Sequence, residues 1–97
     1  MKKSHNVYKS QKLIRVTLEY DEKDNTIGSV VIAGDFFLYP EDTLETLEAN
    51  LTGTELEIDA LKQKIESSLK DSEAYGFDSA SLAEAIFGCK EAAEERS

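Results

Sequence analysis

The chain has 97 residues, 40% apolar and 32% charged, and its 20 acidic side chains outweigh 11 basic ones to give a net charge of −9. That length supports one globular domain with a modest core and excludes a second core or a large internal substrate cavity. No apolar run approaches the ~20 residues of a membrane span, and the basic start lacks the apolar stretch of a secretory signal. The single cysteine, Cys89, excludes an internal disulfide and fits a reducing, cytoplasmic setting.

Charge is unevenly spread. Residues 1–15 carry Lys2, Lys3, Lys9, Lys12 and Arg15 without an acid, so the remainder holds a net −14. So acidic a body repels nucleic-acid and nucleotide phosphates. It is either a solvated surface kept for solubility or one suited to a basic partner.

Residues 1–11 read as a basic arm, loose or entering as an edge segment. Residues 13–20 alternate, with Ile14, Val16, Leu18 and Tyr20 on one side and Arg15, Thr17 and Glu19 on the other. Period two predicts a strand with one buried face. After a polar turn, residues 27–33 predict a second, antiparallel strand, apolar or small on both faces and therefore the more buried of the two. A third strand would come from the arm or from residues 56–58.

Gly34 ends the second strand where a close backbone approach is permitted. Pro40 suits the first position of a helix, with Glu41 and Asp42 complementing its dipole. Leu44, Leu47 and Leu51 form the apolar stripe, and Gly53 is the stop. A second helix follows to about residue 69, capped by Thr54 with Glu57 or by Asp59, with Ile58, Leu61, Ile65 and Leu69 inward. Residues 71–78 read as a loop whose aromatics plug the core. A final helix starts at Asp78 or Ser79 and stops at Gly88, leaving 89–97 as a polar tail that frays or weakly continues the helix. Two strands and then three helices give an α+β fold, the helices on one face of a small antiparallel sheet of two to three strands.

Candidate chemistry is sparse. His5 in the arm and Cys89 in an acidic tail would have to converge to form a nucleophile pair, and no carboxylate or His/Cys spacing matches a metal site. No glycine-rich loop or associated lysine forms a phosphate cradle. The unusual stretch is Gly34-Asp35-Phe36-Phe37-Leu38-Tyr39-Pro40, four large apolar side chains in a turn. Adjacent residues at a strand end point oppositely, so one of Phe36 and Phe37 enters the core while the other faces outward as an interface anchor. Asp35 either stabilises the turn or touches a partner. Alone, these residues describe a small acidic interaction module.

Lys12-Leu13-Ile14-Arg15-Val16, then Val31-Ile32-Ala33-Gly34-Asp35-Phe36-Phe37 and Pro40-Glu41, resemble the accessory (C-terminal) domain of lipoate–protein ligases over about residues 8–88. The resemblance implies a fold similar to SufE/NifU-type α+β domains, without the cysteines of iron–sulfur scaffolds, and a domain over residues 12–88. It implies ATP-dependent activation of lipoate to lipoyl-AMP before transfer to a lysine of lipoyl-acceptor proteins. The ATP, Mg and lipoate would lie in a separate catalytic subunit, this chain binding none alone. Since the chain starts at Met1 with no catalytic domain ahead of it, the expected form is the small subunit of a split, archaeal-type ligase, a heterodimer without nucleic-acid or membrane partners. The implied docking edge comprises Lys12, Arg15, Gly34, Asp35, Phe36, Phe37, Tyr39 and Pro40, with Lys12 nearest the active-site mouth. The alternatives are a non-enzymatic acidic adaptor of a basic protein and, more remotely, a sulfur-transfer scaffold using Cys89.

Overall fold

The computed structural model describes residues 1–9, 12–70 and 72–95, and the side chains of 1–9, 12–70 and 72–92. It is α+β, in the order β1 (Lys2–Lys9), β2 (Leu13–Asp21), β3 (Thr26–Gly34), β4 (Phe37–Tyr39), α1 (Thr43–Leu51), α2 (Ile58–Ser68), β5 (Glu73–Tyr75) and α3 (Ser79–Glu95). The first three strands form an antiparallel sheet in the order β1-β2-β3, and β4 and β5 form a separate antiparallel ribbon. The expectations of a small antiparallel sheet and three helices hold. No helix among the described residues is long and apolar enough to cross a membrane.

The third strand comes from the N-terminal segment. Residues 2–9 are not a loose arm: β1 pairs with β2 in unbroken register from Lys2↔Tyr20 to Lys9↔Leu13. Residues 10 and 11 lie outside the described residues. The other option, residues 56–58, forms no strand: an isolated bridge joins the preceding Glu55 to Thr26, Leu56 N–H donates to the Asn25 carbonyl at 2.8 Å, and Ile58 opens α2.

With β1 on its far side, β2 is the central strand, and Ile14, Val16 and Leu18 are fully buried beneath the helices. β3 is an edge, which corrects the expectation that it is the more buried strand. Its inward residues Ile27, Val30 and Ile32 are buried, but Ser29, Val31 and Ala33 are exposed on a face no helix covers. A register shift between Glu19 and Tyr20 makes the parity work: Glu19 faces Ser29 while Tyr20 faces Ile27, leaving Gly28 as the extra residue. Without that bulge Ile27 and Val30 would point to opposite faces. The open edge of β3 is blunted by the chain itself. Glu48 of α1 accepts from the Ile32 amide at 2.7 Å, and the α1–α2 loop bonds the first half of the strand through Ile27 N–H to the Thr54 carbonyl (3.0 Å) and Gly53 N–H to the Ile27 carbonyl (2.7 Å).

Helix boundaries differ from the expected ones in instructive ways. Pro40 does not begin α1, because residues 37–39 first form β4, and the proline without an amide donor ends that strand. Its carbonyl accepts from Thr43 N–H at 3.0 Å, and helix geometry starts there, with Leu47 and Leu51 buried. Gly53 follows the end of α1 at φ +86°, as its composition predicts. Neither Thr54 nor Asp59 caps α2: Glu57 holds that position without a side-chain bond. For α3, Asp78 rather than Ser79 is the cap. Its carboxylate accepts from Ser81 N–H at 2.7 Å while Ser81 Oγ accepts from Asp78 N–H at 3.0 Å, a reciprocal capping box that holds the Asp78 carboxyl below its usual range.

Gly88 does not stop α3, which continues to Glu95. It instead lets β1 approach the helix. A Cβ at Gly88 would fall on the Asn6 amide nitrogen, which donates to the Ala85 carbonyl at 2.9 Å. The other inward residues of β1 also reach α3: Ser4 Oγ donates to the Cys89 carbonyl (2.6 Å) and Tyr8 Oη to Glu84 Oε2 (2.6 Å). β1 is thus held by polar contacts where β2 is held by apolar ones.

Candidate functional site

Catalytic candidates are separated by the fold. Cys89 is fully buried inside α3, not in a tail, and its thiol lies near the Val16 carbonyl (3.6 Å). His5 projects from the opposite face of the sheet, beside Thr17 Oγ1 at 3.2 Å. The β-sheet stands between them, so they form no nucleophile pair. Burial pushes the Cys89 thiol from 9.0 up to about 12, which keeps it protonated at neutral pH. A raised folded pKa means the stabilisation from keeping this thiol neutral is complete below pH 9 and is lost as pH rises towards 12. Native protein at pH 8 should therefore resist iodoacetamide and react only after denaturation. Rapid stoichiometric alkylation of the folded chain would contradict that environment. No group of three or more His, Cys, Asp or Glu side chains among the described residues is placed to hold a metal ion.

The Gly34–Pro40 segment is where the structure gathers apolar surface. Gly34 has φ +155°, and a Cβ there would fall on the Leu13 carbonyl oxygen, which also accepts from Asp35 N–H at 3.1 Å. This crossing turns the chain out of the main sheet and into β4. Phe36 then packs inward, its ring 5.1 Å from that of buried Phe77 at an interplanar angle of 88°. Leu38 is buried, whereas Phe37 is 68% and Tyr39 61% exposed. The two phenylalanines do diverge, Phe36 towards the core and Phe37 to solvent.

β5 doubles this surface. Phe37 faces Tyr75 across the ribbon and Tyr39 faces Glu73, so three rings lie on one side, with Tyr75 itself 59% exposed. Tyr75 Oη donates to Glu73 Oε2 at 2.7 Å, which raises its phenol pKa and holds the ring in place. Sequence reading took residues 71–78 as a loop and missed Tyr75, Glu73 and Gly76. The available signal was that Glu73-Ala74-Tyr75 repeats the out-in-out pattern of Phe37-Leu38-Tyr39 around a small residue. Phe77 is the aromatic that plugs the core; Tyr75 is not.

Gly76, at φ +102°, closes the ribbon against the residue just ahead of β2: a Cβ there would lie 2.9 Å from Lys12 Cγ and 3.1 Å from Phe36 Cβ. Lys12, Phe36 and the ribbon are therefore neighbours. A groove of about 210 Å³ is lined by Phe36, Phe37, Leu38, Glu41 and Leu44. Asp35 and Pro40 are exposed at its ends. Arg15 is apart from this group in character: it lies mid-sheet, flanked by Val7 and Ala33, on the face away from the helices. A larger hollow of about 420 Å³ lies by Tyr8 and Glu84, but those two groups already bond each other.

The sequence profile described as "Bacterial lipoate protein ligase C-terminus" matches residues 4–86, most of the chain, from within β1 to the middle of α3. The chain belongs to this family. Among lipoate protein ligase relatives, Lipoate-protein ligase A subunit 2 of Thermoplasma acidophilum is 49% identical over 45 residues. That alignment spans 46% of this chain and 46% of that relative. The fold also matches a chain from the archaeal lipoylation system of Thermoplasma acidophilum, a bi-partite lipoate protein ligase studied with its E2 lipoyl domain. The match has a TM-score of 0.76 at 30% identity and covers 88% of this chain and 94% of that one.

Proposed function

We propose that the protein is the accessory subunit of a two-component lipoate–protein ligase, a cytoplasmic heterodimer. In this reading the catalytic subunit holds ATP, Mg and lipoate, and the present chain is needed for conversion of lipoate to lipoyl-AMP. Acceptor proteins then receive the lipoyl group on a lysine. The observation that carries the proposal is membership of the ligase C-terminal family together with the near-complete overlap with a chain of a bi-partite ligase system. The chain's own chemistry agrees. It has an acidic body unsuited to phosphate, a buried unreactive thiol, and an apolar ribbon that faces solvent. As part of the same proposal, the two-layer sheet-and-helix arrangement is akin to SufE/NifU-type scaffolds, put to use here without cluster chemistry.

The contribution would be preorganisation. A docked accessory subunit closes the catalytic site, excludes water and holds the lipoate carboxylate against the α-phosphate, effects of the kind that lower barriers by orders of magnitude without supplying an acid or base. The docking edge includes Gly34, Asp35 and the Phe36–Pro40 segment, with Lys12 as its cation, while Arg15, on the uncovered face of the main sheet, stands apart from it. Splitting the half-reactions tests this. With ATP and lipoate, lipoylation of an acceptor domain should require the chain, and with preformed lipoyl-AMP it should proceed without it. Equal dependence in both would contradict an adenylation role, and no dependence in either would favour an acidic adaptor.

A further inference from the structure

We propose that the aromatic side of the β4–β5 ribbon is the seat of the catalytic ligase subunit, with Tyr75 an anchor beside Phe37 and Tyr39; this rests on the accessory-subunit reading. A ribbon of two three-residue strands has little stability of its own. Leu38 and Phe77 supply its attachment to the core. The three outward rings are not part of the buried core, and each exposes about 60% or more of its surface, in register on adjoining positions. Rigid aromatic side chains clustered in this way have the composition of interface hot spots.

Charge identifies the occupant. Asp35, Glu41 and Asp42 adjoin β4 in the chain and Glu73 lies in β5, all four exposed, and among the described residues the ion pair formed is Lys2 with Glu22, at the far end of the sheet. An apolar seat with an acidic rim complements an apolar surface with a basic rim. The mouth of a site that binds a nucleotide triphosphate and a carboxylate must carry cations, and such a mouth has that character. Lys12, whose stem lies against Gly76, is the cation at the boundary of this acidic rim. The competing surface is the uncovered sheet face, where Val7 and Val31 are 53% and 59% exposed but share the face with Lys3, Lys9 and Arg15, which outnumber the Glu19 opposite Lys3.

The test is titration calorimetry of the full chain with a purified catalytic lipoate–protein ligase subunit from the same organism. Phe37→Ala and Tyr75→Ala remove exposed rings and should leave circular dichroism unchanged. Each should weaken binding by about thirtyfold or more, Tyr75→Phe should restore it, and Val31→Lys on the other face should leave it intact. If wild type binds and both ribbon variants bind within about threefold of it, the ribbon is not the seat, although the accessory reading survives. Loss of binding in Val31→Lys alone would move the seat to the sheet face. If the wild-type chain does not bind at all, both this proposal and the accessory reading fail.

Discussion

Gly34→Ala should unfold the protein at a Tm at least about 10 °C lower than wild type, corresponding to roughly 3–5 kcal/mol of lost stability for a domain of this size. Two independent costs combine. The backbone at φ +155° is one that side-chain-bearing residues rarely adopt, and the added Cβ meets a backbone oxygen, Leu13 O, that cannot rotate away. That oxygen accepts from Asp35 N–H, so relieving the clash breaks the bond that sends the chain from β3 into the ribbon. Loss of near-ultraviolet aromatic signal from the Phe36–Phe77 contact should accompany the fall. A Tm within about 2 °C of wild type, roughly half a kcal/mol or less, would show that the crossing is looser than described.

Gly88→Val is expected to cost about 3 kcal/mol even though replacing an interior helix glycine ordinarily relieves a penalty of about 1 kcal/mol. The sign reverses because the new side chain occupies the place of the Asn6 amide, which loses its bond to the Ala85 carbonyl, and pushes β1 off α3. The mechanism makes a distinctive second expectation. Gly88→Ala and Asn6→Ala should each destabilise the wild-type chain modestly, but in the Asn6→Ala background Gly88→Ala should stabilise, a non-additivity that marks residues in contact. Thermal unfolding of the four proteins in this cycle decides it. Additive effects would place the cost in the helix itself.

These two glycines show how much of the molecule its sequence carries. Period-two alternation over residues 13–20 identified the strand, and leucines at helical spacing identified α1 and α2, because burial of one face leaves a local imprint. Gly34 was legible as a close-approach residue since it ends a strand next to a dense apolar turn. Gly88 was misread as a stop, because the reason for it lies 82 positions away at Asn6 and leaves no trace in its neighbours. β1 was ambiguous for a related reason: its inward residues are Ser4, Asn6 and Tyr8, which satisfy hydrogen bonds to α3 rather than fill a core. The exposed face of β3 was misjudged because Val31 and Ala33 look buried by composition, yet strand order is a tertiary property.

The candidate site was half legible. The Gly-Asp-Phe-Phe block announced itself, and opposite projection of Phe36 and Phe37 follows from strand geometry. Tyr75 did not, since it becomes part of the surface only by pairing with Phe37 across the ribbon. Pro40 was placed at a helix start when it ends a strand, because a three-residue strand is too short to show a period.

The role proposed for this chain is to enable lipoate adenylation by a partner subunit. The most direct measurement is pyrophosphate release from ATP and lipoate by the catalytic subunit as the chain is titrated in. The rate should be negligible without the chain and saturate at one equivalent. A rate already complete without the chain, and unchanged by adding it, would contradict the claim.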